Sequence, residues 1–84
     1  MRKERDYKID VDFHGETLYY SEPTRKTSMD WTWTNGYRIY TDSIQRWSNA
    51  DGTSSIMTDD ERAEVIRRVV EYASDVQGVK MIVE

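Results

Sequence analysis

The residues Met29–Thr41, MDWTWTNGYRIYT, give the strongest indication of the fold, because two alternating runs flank a turn signal. Every second residue of the first run is large and apolar, namely Met29, Trp31 and Trp33. This period of two is typical of a β-strand with one buried face. Asn35-Gly36 is a strong hairpin signal, and Tyr37–Thr41 is the predicted returning strand. The stretch therefore predicts a hairpin at the centre of a β-sheet.

Two further strands are predicted before this hairpin. The run Tyr7–Phe13 alternates strictly, so that its aromatic and aliphatic side chains share one face and its charged side chains the other. His14-Gly15 predicts a turn, because glycine and short polar residues favour turn conformations. Glu16–Ser21 is the predicted second strand, with Tyr19 on its outward side. Residues 22–28 are polar and predict a loop.

The C-terminal half predicts a short helical turn, a loop, a long helix and a last strand. Asp42–Trp47 is expected to form the turn, and residues 48–55 the loop, from their composition. Thr58–Glu61 has the pattern of a capping box. From there an apolar stripe with a period of 3.6 predicts a helix to about Asp75. Val79–Val83 is apolar enough to be a strand lying between two neighbours.

These elements predict an α+β fold in the order β-β-β-β-α-β. About five strands would form a small antiparallel or mixed sheet, with one long helix packed on one face. The length of 84 residues predicts a single domain over residues 1–84, in which residues 1–6 are flexible because they are polar after Met1. The expected core consists of Met29, Trp31, Trp33, Tyr37, Ile39, Ile66, Val69, Val70, Val79, Met81 and Val83.

Charge and composition exclude several classes of function. Twelve Lys and Arg against sixteen Asp and Glu give a net charge of −4, which argues against direct binding of nucleic acid, since phosphates require a cationic surface. The chain has no cysteine, which excludes disulfides, thiol catalysis and cysteine-based zinc sites. No apolar run approaches the ~20 residues of a membrane span. We therefore expect a cytoplasmic protein without a membrane partner.

No catalytic or metal site stands out in the sequence. Asp10–Glu16 has the first carboxylates and the glycine of a calcium loop, but Ser21 stands where a bidentate glutamate is needed. His14 is the only histidine, and no G-x-S-x-G turn accompanies it. The paired acids Asp59-Asp60 are explained by the positive end of a helix dipole. The sequence predicts no catalytic residue, no metal and no cofactor.

The outward side chains of the strands and loops are instead candidates for contact with another protein. Exposed tyrosines beside acids are typical of protein interfaces, although they also occur as ordinary strand residues. The candidate contact residues are Asp10, Asp12, Glu16, Tyr19, Tyr40 and Asp51.

Three runs in the C-terminal half carry a resemblance to a known family. They are Tyr37–Trp47, Ile56–Arg62 and Val65–Tyr72, and their most specific part is Ser43-Ile44-x-x-Trp47. These runs resemble the small immunity proteins of bacterial polymorphic toxin systems. The N-terminal half shares only the hairpin layout. The resemblance implies a cytoplasmic inhibitor that binds a toxin domain tightly and does no chemistry.

Three classes of function stay open at this point. The first is the immunity-type inhibitor, whose acidic side chains would steer it towards a cationic toxin. The second is a phage-encoded anti-CRISPR or other anti-defence protein, whose acidic surface would block a nucleic-acid-binding effector. The third is an enzyme or small-ligand binder, for which the sequence supplies no catalytic groups.

Overall fold

The computed structural model describes residues 6–33 and 36–84, which form a mixed β-sheet with one helix packed against it. The seven strands of this part of the chain are β1 (Lys8–Asp12), β2 (Thr17–Ser21), β3 (Arg25–Thr32), β4 (Arg38–Ile39), β5 (Arg46–Asn49), β6 (Ser54–Ile56) and β7 (Ile82–Val83). Helix α1 (Asp59–Tyr72) continues as a π-helical segment, Ala73–Gln77. The predicted α+β fold is confirmed, with seven strands where about five were expected.

Strand β3 is the branch point of the sheet. On one side it pairs antiparallel with β2, which pairs antiparallel with β1. On the other side its two ends have different partners. Arg25 at its start lies opposite Asn49 of β5, and Trp31 at its end lies opposite Ile39 of β4. Strand β6 then extends the first arm, and β7 extends the second in parallel with β4.

Strand β3 begins earlier than the sequence predicted. Residues 25–28 were expected in a polar loop, but they belong to the strand. The alternation of buried and exposed residues continues back through Thr27, whose side chain is only 9% exposed. Its hydroxyl can be buried because it donates a hydrogen bond of 2.9 Å to the carbonyl of Arg46.

The prediction for Asp42–Trp47 and residues 48–55 was largely wrong. A 3-10 turn covers only Thr41–Ser43, and the following residues form the β5–β6 hairpin instead of a helical turn and a loop. The Ser43 hydroxyl donates to the Tyr40 carbonyl at 2.6 Å and accepts from the Asp30 amide at 2.8 Å, which fixes the turn against β3. Trp47 can then enter the core on a strand, where it is 1% exposed.

The last strand also differs from the prediction. Strand β7 contains only Ile82–Val83 and lies at an edge, where β4 is its partner among the described residues. The preceding helix ends at Gly78, whose φ of 67° is left-handed, and the Val79 amide donates back to the Ala73 carbonyl. Because this cap uses Val79, the chain reaches the sheet later than expected.

The core lies between α1 and the side of the sheet that faces it, which we call the inner face. Its buried side chains are Ile9, Leu18, Tyr20, Met29, Trp31, Ile39, Ile44, Trp47, Met57, Val65, Val69, Ala73 and Met81. Tyr37, Ile66, Val70 and Val79 are partly buried against it, in keeping with the prediction. Two predicted core residues were wrong: Trp33, beyond the end of β3, is 48% exposed, and Val83 on edge strand β7 is 46% exposed.

The capping box of α1 is confirmed. The Thr58 hydroxyl accepts from the Glu61 amide at 3.1 Å, and the Glu61 carboxylate accepts from the Thr58 amide at 2.9 Å. No helix in the described ranges has the length and apolarity needed to cross a membrane. The predicted turn residue Asn35 and the predicted flexible residues 1–5 lie outside the described part of the chain.

Candidate functional site

The side of the sheet away from α1, which we call the outer face, is organised in rows that run across the strands. Register places Lys8, Ser21, Lys26 and Ser48 in the first row, Asp10, Tyr19 and Ser28 in the second, and Asp12, Thr17, Asp30 and Tyr40 in the third. Strands are about 4.8 Å apart, and every second residue of a strand is ~6.6 Å further along. The charge of the outer face therefore changes from positive, at the row with two lysines, to negative, at the row with two aspartates.

Four of the predicted contact residues share this face. Asp10 lies directly opposite Tyr19, which is 48% exposed. Asp12 is two residues further along β1. The Tyr40 amide donates to the Asp30 carbonyl at 3.0 Å, which brings Tyr40 into the row of Asp12. The structure thus collects two aspartates and two tyrosines on one side of the sheet.

The fifth predicted contact, Glu16, lies in the β1–β2 turn at the edge of the outer face. The carboxylate of Asp12 accepts from the Gly15 amide at 3.0 Å, and the Glu16 carbonyl accepts from the Trp31 amide at 3.0 Å. Glu16 has a φ of 51°, a left-handed conformation that costs a non-glycine residue about 1 kcal/mol. The Glu16 side chain is exposed to solvent in this turn.

The sixth predicted contact, Asp51, lies apart from the others. It sits in the β5–β6 turn, beyond the row of Lys26, and that row is itself about 13 Å from the row of Tyr40 along β3. Its carboxylate accepts from the Thr53 hydroxyl at 2.6 Å and the Thr53 amide at 3.0 Å, and these bonds lower the pKa of Asp51. Turn formation accounts for this aspartate.

The sequence did not predict a polar cleft that lies on the outer face. It has a volume of about 460 Å³, and its lining includes Tyr19, Lys26, Ser28, Gln45, Arg46 and Ser48. The cleft forms where the 3-10 turn and β5 meet the middle of β3. The one signal for it in the sequence was the alternation of residues 25–31, which would have placed Lys26 and Ser28 on a strand.

A second polar cluster joins the sheet to α1 at the rim of the core, and we call it the inner network. The Tyr20 hydroxyl donates to Glu22 at 2.6 Å and accepts from Arg68 at 2.7 Å. Arg25 donates to Glu22 at 2.8 Å and to Glu61 at 2.5 Å. The network therefore cross-links β2, the β2–β3 loop and β3 to Glu61 in the first turn of α1 and to Arg68 in its second half.

The inner network shifts the pKa values of its members. Burial and the hydrogen bond to Glu22 raise the pKa of Tyr20 to about 12. Burial acts to raise the pKa of Glu22, but hydrogen bonds from Tyr20 and Arg25 outweigh it, so that the pKa is lowered. The bonds that Glu61 accepts from the Thr58 amide and from Arg25 lower its pKa to about 2. All three groups keep one protonation state near neutral pH, which suits a structural role.

An exposed aromatic pair lies at the end of the sheet next to Glu16. The rings of Phe13 and Trp33 meet edge to face with their centroids 6.1 Å apart, and both residues are about half exposed. The Trp33 indole donates to the Phe13 carbonyl at 3.4 Å. The Phe13 ring also contacts the buried ring of Trp31, with the two centroids 5.3 Å apart. The pair is therefore an outward extension of the core.

Chemically, this arrangement is suited to binding. Within residues 6–33 and 36–84, no three histidine or acidic side chains converge closely enough to hold a metal ion. His14 is exposed in the β1–β2 turn. The outer face offers phenols, carboxylates, hydroxyls and the cations Lys8, Lys26 and Arg46, which are groups that form contacts at protein interfaces.

Comparison with known proteins adds no relative, since no family model, curated protein or solved structure matches the chain. The resemblance of Tyr37–Tyr72 to immunity proteins therefore stays a prediction.

Proposed function

We propose that this protein is a non-enzymatic, cytoplasmic inhibitor that binds another protein through the outer face, as immunity proteins do against bacterial toxins. The observation that carries the proposal is the position of Tyr19. Its large ring is half exposed at the centre of the face, between Asp10 and Ser28 in the same row. Tyrosine is enriched among residues that dominate binding energy, because it buries a large rigid ring and keeps a polar tip.

The charge at one end of the face supports a basic region on the partner. Asp10, Asp12 and Asp30 lie in two neighbouring rows there, and exposed Glu16 is in the adjoining β1–β2 turn, in a chain with a net charge of −4. Acidic side chains accelerate association with a cationic surface and penalise acidic competitors. A toxin that acts on nucleic acid presents such a surface, because it must bind phosphates.

Capture experiments in the organism that carries the gene test this proposal. The tagged protein should retain one dominant protein, and Tyr19→Ala or Asp10→Lys should weaken that complex by about tenfold or more. Asp60→Lys is the matched control, because it makes the same charge change at the exposed start of α1. The captured protein should be toxic when expressed alone and harmless at a 1:1 ratio with the inhibitor.

Three results would contradict the proposal or change its class. A complex that tolerates Tyr19→Ala and Asp10→Lys as well as Asp60→Lys does not use the outer face. A captured effector of phage defence, with loss of restriction in cells that express the protein, would assign the anti-defence role to the same face. Saturable turnover of a substrate by the purified protein would replace inhibition with catalysis.

A further inference from the structure

The two cations of the outer-face cleft, Lys26 and Arg46, form no ion pair with a described carboxylate. The other described arginines do. Arg25, Arg38, Arg62, Arg67 and Arg68 all form ion pairs with carboxylates. Arg46 forms none within the described part of the chain, and its side chain makes a single long hydrogen bond, 3.4 Å, to Ser54. Lys26 likewise has no ion pair among the described residues, although both line one cleft.

The hydroxyls around these cations divide into two groups. Those of Thr27 and Ser43 are already bonded to backbone carbonyls. Those of Tyr19, Ser28 and Ser48 make no hydrogen bond to another described residue, and they line the same cleft. Two positive side chains and three available hydroxyl donors therefore surround one space of about 460 Å³.

We propose that this cleft binds one carboxylate, supplied by an aspartate or glutamate side chain of the partner protein. This inference rests on the inhibitor function proposed above and specifies the partner's chemistry. Arg46 supplies N–H donors in the planar arrangement that matches a carboxylate, and Lys26 adds a second positive charge. Hydroxyls of Tyr19 and Ser28 complete the donor set.

The charges next to the cleft decide between one carboxylate and an extended polyanion. Asp10 lies one strand from Tyr19, and Asp30 is two residues from Ser28, which is ~6.6 Å along the strand. This separation is shorter than the screening length of ~8 Å at physiological salt. A nucleic acid laid along the face would meet these aspartates, whereas a single carboxylate can bind the cations and hydroxyls of the cleft without reaching them.

The same gradient specifies the surface of the partner. Because the Lys26 row is cationic and the Asp12 row is anionic, a complementary surface carries an acidic side chain about 13 Å from a basic one. A uniformly basic partner would leave Lys26 and Arg46 facing like charge, which is costly in a desolvated interface.

A short peptide tests the cleft without the partner. The probe is acetyl-Gly-Glu-Gly-amide, titrated into the 15N-labelled protein in low salt, and its Gln counterpart is the uncharged control. We expect saturable shifts of the Ser28 and Ser48 amides with the Glu peptide alone. Lys26→Gln or Arg46→Gln should raise the dissociation constant by about fivefold or more. Lys80→Gln is the matched control, because Lys80 is exposed and has no ion pair within the described residues.

Several outcomes would overturn the inference. Equal binding of the Gln peptide, or equal weakening by Lys80→Gln, would remove the role of charge at this cleft. Tighter binding of inorganic phosphate or of duplex DNA at the same amides would replace the partner carboxylate with a phosphate ligand.

The variants also separate this inference from the proposed function. If Tyr19→Ala releases the captured partner and Lys26→Gln and Arg46→Gln do not, the function stands and the carboxylate site fails. If the Glu peptide binds the cleft while Tyr19→Ala and Asp10→Lys both retain the partner, the cleft binds a carboxylate but the function proposed for the outer face fails.

Discussion

The inner network and the outer-face cleft both contain cationic side chains, but they use them in opposite ways. In the inner network, Arg25 and Arg68 are paired with carboxylates, and each also lies over an aromatic ring. In the cleft, Lys26 and Arg46 have no carboxylate partner within the described part of the chain. The two regions are separated by the thickness of a single sheet, since Arg25 and Lys26 are adjacent on opposite faces of β3.

The two faces therefore differ in what their charged groups can contribute to folding. Ion pairs that are partly buried and share hydrogen bonds contribute to folding, because removing one member leaves the other unsatisfied. Exposed charges without partners contribute little to folding. They remain free to contribute to binding. Variants on the two faces should therefore differ in stability.

Large aromatic residues on the two faces should give the sharpest contrast. Trp47→Ala on the inner face should lower the free energy of unfolding by about 3–5 kcal/mol, because it leaves a large cavity. Tyr19→Ala on the outer face should lower it by less than about 1 kcal/mol. Urea denaturation measures both variants. If Trp47→Ala does not fold, Trp47→Phe should still be more destabilised than Tyr19→Phe. Equal losses on the two faces would contradict this difference.

Truncation of charged side chains on the two faces should also change the free energy of unfolding by unequal amounts, but less than truncation of the aromatic residues does. Glu22→Ala should cost about 1–3 kcal/mol of unfolding free energy, because Tyr20, Arg25 and Arg68 all lose a hydrogen-bond acceptor. Arg46→Ala should change it by no more than about 0.5 kcal/mol. Denaturation midpoints at constant slope provide the measurement. A loss in Arg46→Ala comparable to that in Glu22→Ala would assign the cleft a structural role.

Acid should weaken the protein through the inner network. The pKa values of Glu22 and Glu61 are lowered in the folded state, that of Glu61 to about 2, so both stabilise the fold above the unfolded pKa of about 4.5. This stabilisation should be lost as the pH falls from there towards 2. When the free energy of unfolding is measured against pH, it should fall less steeply below pH 4.5 in Glu61→Gln than in the unmodified protein. Glu16→Gln, which removes an exposed carboxylate, is the control, and an unchanged slope in Glu61→Gln would refute the assignment.

Alkali should produce the smallest signal, confined to one tyrosine. The pKa of Tyr20 is raised to about 12, so its neutral form favours folding at lower pH and this contribution is lost as the pH rises from about 10 to 12. Absorbance at the phenolate band should show one of the six tyrosines ionising last. Tyr20→Phe should remove that step and Tyr40→Phe should not. Loss of the last step in both variants would show that the phenols titrate together.

Local patterns were sufficient to predict the parts of the fold that depend on near neighbours in sequence. Alternation located β1 and β2, and the capping box located the start of α1. The ion pairs of Arg67 with Glu64 and Glu71 also follow from helical spacing, and the structure has them at 2.5 and 2.9 Å. Each of these features depends only on residues a few positions apart in the sequence.

The features that sequence reasoning missed depend on contacts between distant segments. Strands β5 and β6 are short, and Trp47 of β5 is buried in the core together with side chains from distant parts of the chain. The inner network joins Tyr20 to Arg68 across 48 positions of the chain. The cleft requires β5 to meet β3, and no local pattern specifies that pairing. Candidate contacts on β1 and β2 could be predicted, whereas the meeting of Lys26 and Arg46 in one cleft could not.

The unequal exposure of the three tryptophans gives the protein an optical readout of its own. Trp31 and Trp47 are each 1% exposed, whereas Trp33 is half exposed beside Phe13. A water-soluble quencher should therefore reach the emission of Trp33 first, and the other two indoles should become accessible only on unfolding. Replacing Trp33 with phenylalanine would leave a fluorescence signal that comes from the interior alone.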